Sequence, residues 1–193
     1  MNFSAAERAR RIRLILFDVD GVLTDGKIWS LPTAIEAPDK TFEPKGFHAH
    51  DGIGISLTRI GGIHTGVITK RTSETVAQRA RALRMEYVYM GQDHKIRAVS
   101  EIMQRGSLTL EQIAYVGDDV IDLPVMRVCG LAIAVANARD QVKAAAHYVT
   151  PHAGGEGAGR DAIDFILQAH GILDRCIEEY IDEHRAAVAA GTQ

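Results

Sequence analysis

The sequence predicts an α/β fold in which helices cover both faces of one doubly wound parallel sheet. Short apolar runs alternate along the chain with longer stretches whose apolar residues recur at helical spacing. The apolar runs lack polar alternation, which is typical of strands buried on both faces. Several runs end directly in acidic or hydroxyl residues, and open α/β sheets bind ligands at the carboxyl ends of their strands. We therefore expect a single domain, residues 1–193, with a ligand site at that edge of the sheet.

The composition is that of an ordinary globular protein, with 46% hydrophobic and 24% charged residues. A formal net charge of −3 gives no basic footprint, so no nucleic-acid partner is expected. No apolar run approaches the ~20 residues that cross a bilayer, so no membrane partner is expected either. The start of the chain lacks the apolar core of a signal peptide. Cys129 and Cys176 lie far apart in sequence, and we expect reduced thiols in a cytoplasmic protein.

Strands are predicted wherever a short apolar or β-branched run is bounded by polar or glycine residues. Leu14-Ile-Leu-Phe17 is the core of the first strand, and Ile113-Ala-Tyr-Val-Gly117 repeats its pattern near the middle of the chain. The full set of predicted strands lies at about 13–18, 64–69, 87–90, 113–117, 131–135 and 148–150.

Helices are predicted between the strands from cap residues and apolar periodicity. A short helix is expected within residues 1–13. Asp51 is the predicted N-cap of a helix that Gly61-Gly62 ends, and Thr72 or Ser73 caps the next one. Further helices are expected at about 95–105, 124–128, 141–146, 160–169 and 172–190, the last of them within a C-terminal tail at about 171–193.

Residues 26–50 break the alternation of strands and helices, and we interpret them as a β-hairpin inserted after the first strand. Lys27–Leu31 is the outgoing strand, and Thr41–His48 contains the returning one. The prolines at positions 32, 38 and 44 exclude a helix. The alternative is a disordered surface loop. An ordered hairpin is favoured because a loop would leave the large apolar area of three aromatic residues exposed, namely Trp29, Phe42 and Phe47.

Asp18 and Asp20 follow the first strand and are separated by one residue. Side chains in an extended chain repeat with period two, so both carboxylates can point to one place. Two carboxylates there repel each other unless a cation or a shared proton lies between them. Mg²⁺, which binds few carboxylates together with phosphate and water, is the natural cation. The alternative is an ordinary Asp-x-Asp-Gly turn, since Asp and Gly are common in turns.

Further polar residues follow other strands or open the next helix at the same edge of the sheet. Thr69 ends the second strand, Lys95 opens a helix, and the strand at 113–117 runs into Asp118, Asp119 and Asp122. Considered alone, Thr69 could be a helix cap and Lys95 a solvated lysine. Four such positions in chain order, at the same topological place, indicate one functional site.

The longer string Phe-Asp-Val-Asp-Gly-Val-Leu-Thr-Asp-Gly, which begins at Phe17, resembles the first motif of the haloacid dehalogenase-like phosphohydrolases. Thr69 resembles the second motif of that superfamily, Lys95 the third, and Gly117-Asp-Asp-x-x-Asp122 the fourth. The resemblance covers nearly the whole chain and implies a Rossmann-like phosphatase fold. The hairpin insert and the lack of a large cap domain resemble the small capless subgroup of the KDO 8-phosphate phosphatases, where KDO is 3-deoxy-D-manno-octulosonate.

The resemblance implies a catalytic role for four residues. Asp18 would attack phosphorus and form an aspartyl-phosphate. Asp20 would protonate the leaving oxygen and then deprotonate the attacking water. Thr69 and Lys95 would bind the phosphoryl oxygens and stabilise the charge of the transition state.

The resemblance also implies Mg²⁺ as the cofactor. Asp18, the main-chain carbonyl of Asp20 and Asp118 would hold the ion. Of Asp119 and Asp122, one would support the metal site and the other would cap the following helix.

Substrate contacts of the subgroup correspond to positions in three segments of this chain. These positions are His48, Ala49, His50, Asp51, Gly52, Ser56, Lys70, Arg71, Arg79 and Arg160. The chain departs from the subgroup at three of them, because His50 and Ser56 stand in place of arginines and Lys70 in place of a glycine. A fixed guanidinium fork for a carboxylate is thereby lost. We hypothesise that Lys70 supplies the missing cation.

By the same resemblance, four subunits assemble through their hairpin inserts into a homotetramer. The three aromatic residues of the insert would lie at that contact. The Gly-rich stretch at 154–159 would reach a neighbour's active site and present Arg160 to substrate, although Arg160 could equally be an exposed first-turn arginine. The tip of the insert, around Pro32–Pro44, is longer than in the subgroup.

The resemblance therefore implies a phosphatase that hydrolyses the sugar phosphate KDO 8-phosphate, an enzyme of lipopolysaccharide biosynthesis. A phosphatase for a nine-carbon nonulosonate 9-phosphate is the alternative among enzymes. A non-catalytic phosphoacceptor domain lacks an acid two residues after its phosphoryl aspartate, so Asp20 argues against that class. The complete motif set argues against a scaffold. A metal site at His48 and His50 is a further alternative, with no third ligand evident.

Overall fold

The computed structural model describes residues 3–32 and 41–191, which form a parallel sheet between two layers of helices. The strands are β1 (Leu14–Phe17), β2 (Leu31–Pro32), β3 (Thr41–Phe42), β4 (His64–Ile68), β5 (Tyr87–Tyr89), β6 (Ile113–Gly117), β7 (Leu131–Ala134) and β8 (Tyr148–Val149). The large sheet has the order β5-β4-β1-β6-β7-β8, and every neighbouring pair is parallel. The strand order reverses at β1, which creates the crevice where open sheets bind ligands. The predicted doubly wound parallel sheet is confirmed.

β1 lies at the centre of the sheet, with both of its edges paired. Leu14 is in register with His64 of β4 on one side and with Ile113 of β6 on the other. All residues of β1 and of β6 are buried. Burial on both faces is the physical reason that these strands are continuous apolar runs without polar alternation.

The helices are α1 (Ala5–Ala9), α2 (Ala49–Ile60), α3 (Glu74–Ala82), α4 (Lys95–Gly106), α5 (Leu123–Met126), α6 (Asp140–Ala145), α7 (Ala158–Ala169) and α8 (Leu173–Gly191). α2 packs against α7 and α8, and α1 packs against α7, which forms one helical layer. α5 packs against α4 and α6 and forms the other. α3 lies beside α2, where Val76 and Ala80 line the same small apolar cavity as Ile55. None of the described helices is long and apolar enough to cross a membrane.

The helix boundaries correct one predicted cap and confirm another. The prediction that Asp51 caps the N-terminus of α2 is wrong, because the helix begins at Ala49 and His48 holds the N-cap position. The Asp51 carboxylate instead accepts a 2.8 Å hydrogen bond from the backbone N–H of Arg160, in the first turn of α7. Ser73 caps α3 as predicted, accepting from the backbone N–H of Val76.

The insert after β1 contains one short antiparallel pair. Leu31 of β2 is in register with Phe42 of β3. The predicted strand over 27–31 reaches regular structure only at its last residue, and the tip at 33–40 lies outside the described residues. Trp29 and Phe42 are more than half exposed, whereas Phe47 packs against the core. Two of the three aromatic residues of the insert therefore present apolar area on the surface.

Candidate active site

Acidic side chains that follow two neighbouring strands converge at the carboxyl edge of the sheet. Asp18 follows β1, and Asp118 and Asp122 follow β6, which pairs directly with β1. One carboxylate oxygen from each residue lies within 4.8 Å of the other two. The structure thus brings Asp18 together with two acidic residues that lie about a hundred positions further along the sequence.

Lys95 lies within this acidic cluster and is not a solvated lysine. Its side chain is 1% exposed, and its Nζ lies 2.8 Å from Asp18 Oδ2 and 2.7 Å from Asp122 Oδ1. Burial alone would lower the pKa of Lys95, but the two carboxylates outweigh burial and raise it. Lys95 therefore carries a fixed positive charge at the end of β1.

Asp122 is fully buried and holds the other groups of the cluster in place. Its Oδ1 accepts from Lys95 Nζ and, at 2.7 Å, from the Tyr115 hydroxyl. Its Oδ2 accepts from the backbone N–H groups of Asp118 and Asp119 at 3.0 and 3.3 Å. Asp122 occupies the N-cap position of α5 without a side-chain cap bond, because its carboxylate turns back into the cluster. The exposed Asp119 side chain accepts from the next backbone N–H in its own loop.

Burial and crowded negative charge raise the pKa of two carboxyl groups in the cluster. Burial is the main cause that raises the pKa of Asp18 to about 6, with the charge of Asp122 adding to it and Lys95 opposing it. Burial, followed by the charges of Asp122 and Asp18, raises the pKa of Asp118 to about 7. Ionising both groups therefore creates negative charge that the one ammonium of Lys95 does not balance.

The donor set fits a hard divalent cation, since carboxylate oxygens are the ligands that such ions prefer. Asp122 already accepts four donors, which leaves Asp18 and Asp118 as the carboxylates available to an ion. Gly21, at φ +91°, allows the Asp118 carboxylate to approach the turn after β1, because a Cβ at position 21 would lie 2.2 Å from Asp118 Oδ2. Asp118 therefore rests against the backbone of the turn that follows β1.

The carboxylate of Asp20 points to a different partner from that of Asp18. The two residues are separated by an irregular turn over Val19–Leu23, so the period-two geometry of an extended chain does not apply. Asp20 Oδ1 forms an ion pair with Lys45 Nζ, and Asp20 is outside the acidic cluster. The prediction that the carboxylates of Asp18 and Asp20 share one cation is therefore corrected. Asp20 as a main-chain ligand of the metal stays a prediction.

The Gly-rich segment before α7 packs against this turn within the same chain. The backbone N–H of Gly155 donates to the Val22 carbonyl at 3.1 Å. A Cβ at Gly154 would lie 1.7 Å from the carbonyl oxygen of Gly21, so only glycine fits that position. Asn137, after β7, fixes Gly154 by accepting its N–H at 2.8 Å. The Gly-rich segment thus fixes the turn that carries Asp20 through backbone contacts.

Three predicted phosphate and substrate residues lie together after β4. Thr69 is buried, and its Oγ1 accepts from the backbone N–H of Arg71 at 3.3 Å. Lys70 is exposed and lies 3.5 Å from an Asp93 carboxylate oxygen. Arg71 directs its fork at Glu43 of the insert, with Nε 3.3 Å from Oε2 and Nη2 in contact with Oε1. The Arg71 guanidinium, which was predicted to contact substrate, is therefore paired with Glu43 in this structure.

The predicted contacts on α2 surround Arg79 of α3. The Arg79 guanidinium lies 5.8 Å from the centre of the Phe47 ring, and a Cβ at Gly52 would come within 2.6 Å of Arg79 Nη2. Three buried polar atoms here have no hydrogen-bond partner among the described residues, namely His48 Nδ1, Asp51 Oδ2 and Arg79 Nε. Burial raises the pKa of Asp51.

The other predicted contacts on α2 face solvent or their own helix. Ser56 Oγ donates to the Gly52 carbonyl within α2, and Ala49 and His50 are exposed. The rings of His48 and His50 meet edge to face at 4.7 Å. Among residues 3–32 and 41–191, the acidic cluster is the one group found that could hold a metal, so the alternative site at these histidines gains no third ligand.

Arg160 does not reach the acidic cluster by any contact within the described chain. Its Nε lies 2.7 Å from Asp164 Oδ1, one turn further along α7. A Cβ at Gly54 of α2 would lie 3.0 Å from Arg160 Cδ, so the side chain runs across α2. Its predicted action across subunits stays a prediction.

Sequence reasoning missed three residues that contact the site. Tyr115 lies in an apolar strand and was indistinguishable there from a core residue. Glu43 and Lys45 belong to the insert, whose path across the site depends on long-range packing that no local pattern encodes. The one sequence feature that could have indicated Glu43 and Lys45 is their charge, since they flank Pro44 in a segment with many apolar and small residues.

Comparison with known proteins agrees with this geometry. Residues 69–159 match the family model of the haloacid dehalogenase-like hydrolases. The chain is 40% identical over 167 residues to the 3-deoxy-D-manno-octulosonate 8-phosphate phosphatase KdsC of Escherichia coli, an alignment that covers 86% of this chain and 85% of that protein.

Solved structures of similar proteins superpose closely. The KDO 8-phosphate phosphatase of Yersinia pestis has a TM-score of 0.82 at 39% identity and covers 88% of both chains. The enzyme of Moraxella catarrhalis, solved with magnesium, phosphate and KDO, has a TM-score of 0.84 at 34% identity and covers 91% of this chain and 97% of its own. The identity, the coverage and the acidic cluster at the switch point together show that this chain belongs to the KDO 8-phosphate phosphatase family of haloacid dehalogenase-like hydrolases.

Proposed function

We propose that this protein is a Mg²⁺-dependent phosphatase that converts KDO 8-phosphate to KDO and inorganic phosphate in the cytoplasm, as a step of lipopolysaccharide biosynthesis. The observation that carries this proposal is the cluster of Asp18, Lys95, Asp118 and Asp122 at the switch point of the sheet. The identity to relatives that are named for this substrate supports it. The cysteines of the described chain are buried free thiols, as expected in a reducing compartment.

Asp18 and Asp118 would hold the metal together with the main-chain carbonyl of Asp20, and Asp122 would orient Asp118 through its backbone N–H. When bound, the ion neutralises part of the charge that the phosphate brings next to the carboxylates. Asp119 has an exposed side chain, and its backbone N–H contributes to the support of Asp122.

Asp18 attacks the phosphorus atom and the bond between phosphorus and the sugar oxygen breaks, which leaves an aspartyl-phosphate. The backbone N–H of Val19 holds one carboxylate oxygen of Asp18 at 2.7 Å, and Lys95 holds the other. This orientation favours attack, because the nucleophile is fixed before substrate arrives. Thr69 and Lys95 bind the phosphoryl oxygens and stabilise their charge.

Asp20 supplies the proton that the leaving sugar oxygen needs. It then accepts a proton from the water that attacks the aspartyl-phosphate, so phosphate leaves and Asp18 is regenerated. The position of Asp20, outside the acidic cluster but on the same turn as Asp18, suits a group that acts on the leaving side of phosphorus.

The substrate shell is where this chain departs from its family, and it supports a second candidate substrate. By the family resemblance, His50 and Ser56 stand in place of arginines of the sugar-binding shell and Lys70 in place of a glycine. Lys70 is exposed after β4, beside Asp93. We hypothesise that Lys70 binds the substrate carboxylate. A nine-carbon nonulosonate 9-phosphate is the alternative substrate, and an unaltered KM after Lys70→Gly would contradict a role for Lys70 with either sugar.

We also propose a homotetramer formed through the insert. Ile28, Trp29, Leu31 and Phe42 are each 50–58% exposed, which is unusual for side chains of this size gathered on one short segment. Light scattering should give the mass of four chains for the wild type and a smaller mass for Trp29→Asp. A monomeric wild type would contradict this assembly.

The test of function is phosphate release with Mg²⁺ over a panel of sugar phosphates that includes KDO 8-phosphate and a nonulosonate 9-phosphate. Asp18→Asn is the control, and it should abolish release from every substrate. Preference for KDO 8-phosphate is the expected result. Preference for the nine-carbon acid would transfer the activity to the alternative substrate, and no release from any sugar phosphate would refute the proposal.

A further inference from the structure

The side chain of Lys45 extends from the insert to Asp20, in the turn that follows β1. It is 4% exposed, and its Nζ forms an ion pair with Asp20 Oδ1. Within residues 3–32 and 41–191, Lys45 is the one group that hydrogen-bonds to the Asp20 carboxylate, and Asp20 is the one partner of the Lys45 ammonium. Each charge therefore fixes the position of the other.

Such a burial has a physical cost. A lysine is almost never fully buried without a partner, because its ammonium loses hydration that only a close opposite charge can replace. The Lys45 side chain is nevertheless buried more deeply than that of Asp20, which is 20% exposed. In this pair, a buried ammonium therefore supports a carboxylate that remains partly exposed.

The backbone around Asp20 makes this support necessary. Asp20 lies in the irregular turn after β1, followed by Gly21 in a left-handed conformation. No regular helix or strand constrains the side chain of Asp20 there, and a carboxyl group that rotates freely is a poor proton donor to a fixed leaving oxygen. The ion pair with Lys45 supplies the constraint that the local backbone lacks.

The neighbouring residues of the insert show that this contact is part of a larger one. Glu43, two residues before Lys45, pairs with Arg71 after β4. The return limb of the insert, Glu43–Lys45, therefore makes two ion pairs, to the loops that follow two adjacent strands. The limb is attached at both ends, by β3 on one side and by α2 on the other.

We propose that Lys45 is a positioning residue for the reaction: it holds the Asp20 side chain in the orientation from which the protonated carboxyl group gives its proton to the leaving oxygen, and it pairs with the carboxylate that remains. This inference rests on the proposed function and adds to it a role for the insert, which thereby contributes to catalysis within its own subunit. Lys45 acts through Asp20 and need not touch substrate.

The experiment compares two leaving groups in steady-state kinetics. KDO 8-phosphate releases an alkoxide that needs a proton, whereas p-nitrophenyl phosphate releases a stable phenolate that does not. The parameter kcat/KM reports only the steps up to cleavage of the ester, so later hydrolysis of the aspartyl-phosphate does not enter the comparison. Lys45→Met removes the charge and keeps an unbranched apolar side chain in the place of the buried lysine stem.

For Lys45→Met, we expect kcat/KM on KDO 8-phosphate to fall by about 30- to 100-fold and that on p-nitrophenyl phosphate by less than about threefold. KM for KDO 8-phosphate should stay within about twofold, since the lost interaction acts on the transition state. Lys45→Arg keeps the charge and should recover part of the loss. Lys27→Met is the matched control, because Lys27 forms an exposed ion pair with Asp25 at 3.0 Å in the same insert, and it should leave both substrates unchanged.

Equal losses on both substrates would overturn the inference, since a merely structural lysine does not distinguish leaving groups. An unchanged kcat/KM on KDO 8-phosphate would overturn it as well. If Lys45→Met does not fold, Lys45→Gln gives the same comparison with a polar side chain. Failure of the proposed function is separate, because the wild type would then release no phosphate from KDO 8-phosphate.

Discussion

Lowering the pH should weaken Mg²⁺ binding to Asp18 and Asp118 steeply. Both carboxyl groups must lose their protons to bind the ion, and their pKa values are raised to about 6 and about 7. At pH 8 both are ionised, and the ion meets no competition. At pH 5, Asp118 lies about two pH units and Asp18 about one below its pKa, and each unit lowers the apparent affinity roughly tenfold. We expect a loss on the order of a hundredfold to a thousandfold between pH 8 and pH 5.

The same raised pKa values set the direction of the stability change in the metal-free protein. A carboxyl group whose pKa is higher in the folded than in the unfolded state holds a proton that the unfolded chain has already released. The free energy of unfolding of the metal-free protein should therefore fall as pH rises from about 4 to about 7. Mg²⁺ binds the ionised groups and should restore this loss, so its stabilising effect is largest at high pH.

The assay is titration calorimetry of Mg²⁺ at pH 5.5, 6.5 and 8, in pairs of buffers with different ionisation enthalpies. Binding at pH 5.5 and 6.5 should release roughly one to two protons per ion, and release should approach zero at pH 8. Asp182→Asn, on the exposed face of α8, is the control and should change nothing. An affinity that is constant from pH 8 to pH 5.5, or binding without proton release at pH 5.5 and 6.5, would refute the account of the cluster.

Three further predictions concern the groups that support the site. Asp122→Asn removes the buried charge that pairs with an ammonium and should lower the free energy of unfolding by about 3 kcal/mol in urea titrations; a change below about 1 kcal/mol would contradict the buried ion pair. Gly154→Ala should lower kcat at least about tenfold by displacing the turn after β1, whereas Gly46→Ala, where a Cβ meets no described residue within 4 Å, should be neutral; equal effects would contradict the packing argument. Glu43→Gln should release the Arg71 guanidinium and lower KM severalfold for sugar phosphates that also carry a carboxylate, but not for sugar phosphates without one. The same change in KM for both classes would contradict competition between Glu43 and the substrate carboxylate for Arg71.

The sheet and most helices could be predicted because their signals are local. The runs at β1 and β6 are apolar throughout since both faces are buried, and Ser73 caps α3 by a bond to a residue three positions away. The convergence of Asp18 and Asp118 was also accessible, because parallel topology brings the ends of adjacent strands together whatever the side chains between them.

The misses share a physical cause, which is that the deciding partner is distant in sequence. Asp51 has the residue type and position of a helix cap, but its carboxylate accepts from Arg160, more than a hundred residues away. Asp20 was expected to share a cation with Asp18, and its partner is instead Lys45, delivered by an insert whose strands are only two residues long. Such contacts depend on packing between elements, and no periodicity in the sequence reports them.

The central claim is that Asp18 accepts the phosphoryl group of KDO 8-phosphate as an aspartyl-phosphate. The most direct test is rapid mixing of the Mg²⁺-loaded enzyme with KDO 8-phosphate, followed by acid quenching within one turnover and peptide mapping by mass spectrometry. The account predicts a phosphoryl group on Asp18 that forms and decays on the timescale of kcat, and none in Asp18→Asn. A phosphoryl group on any other residue, or turnover that persists in Asp18→Asn, would contradict it.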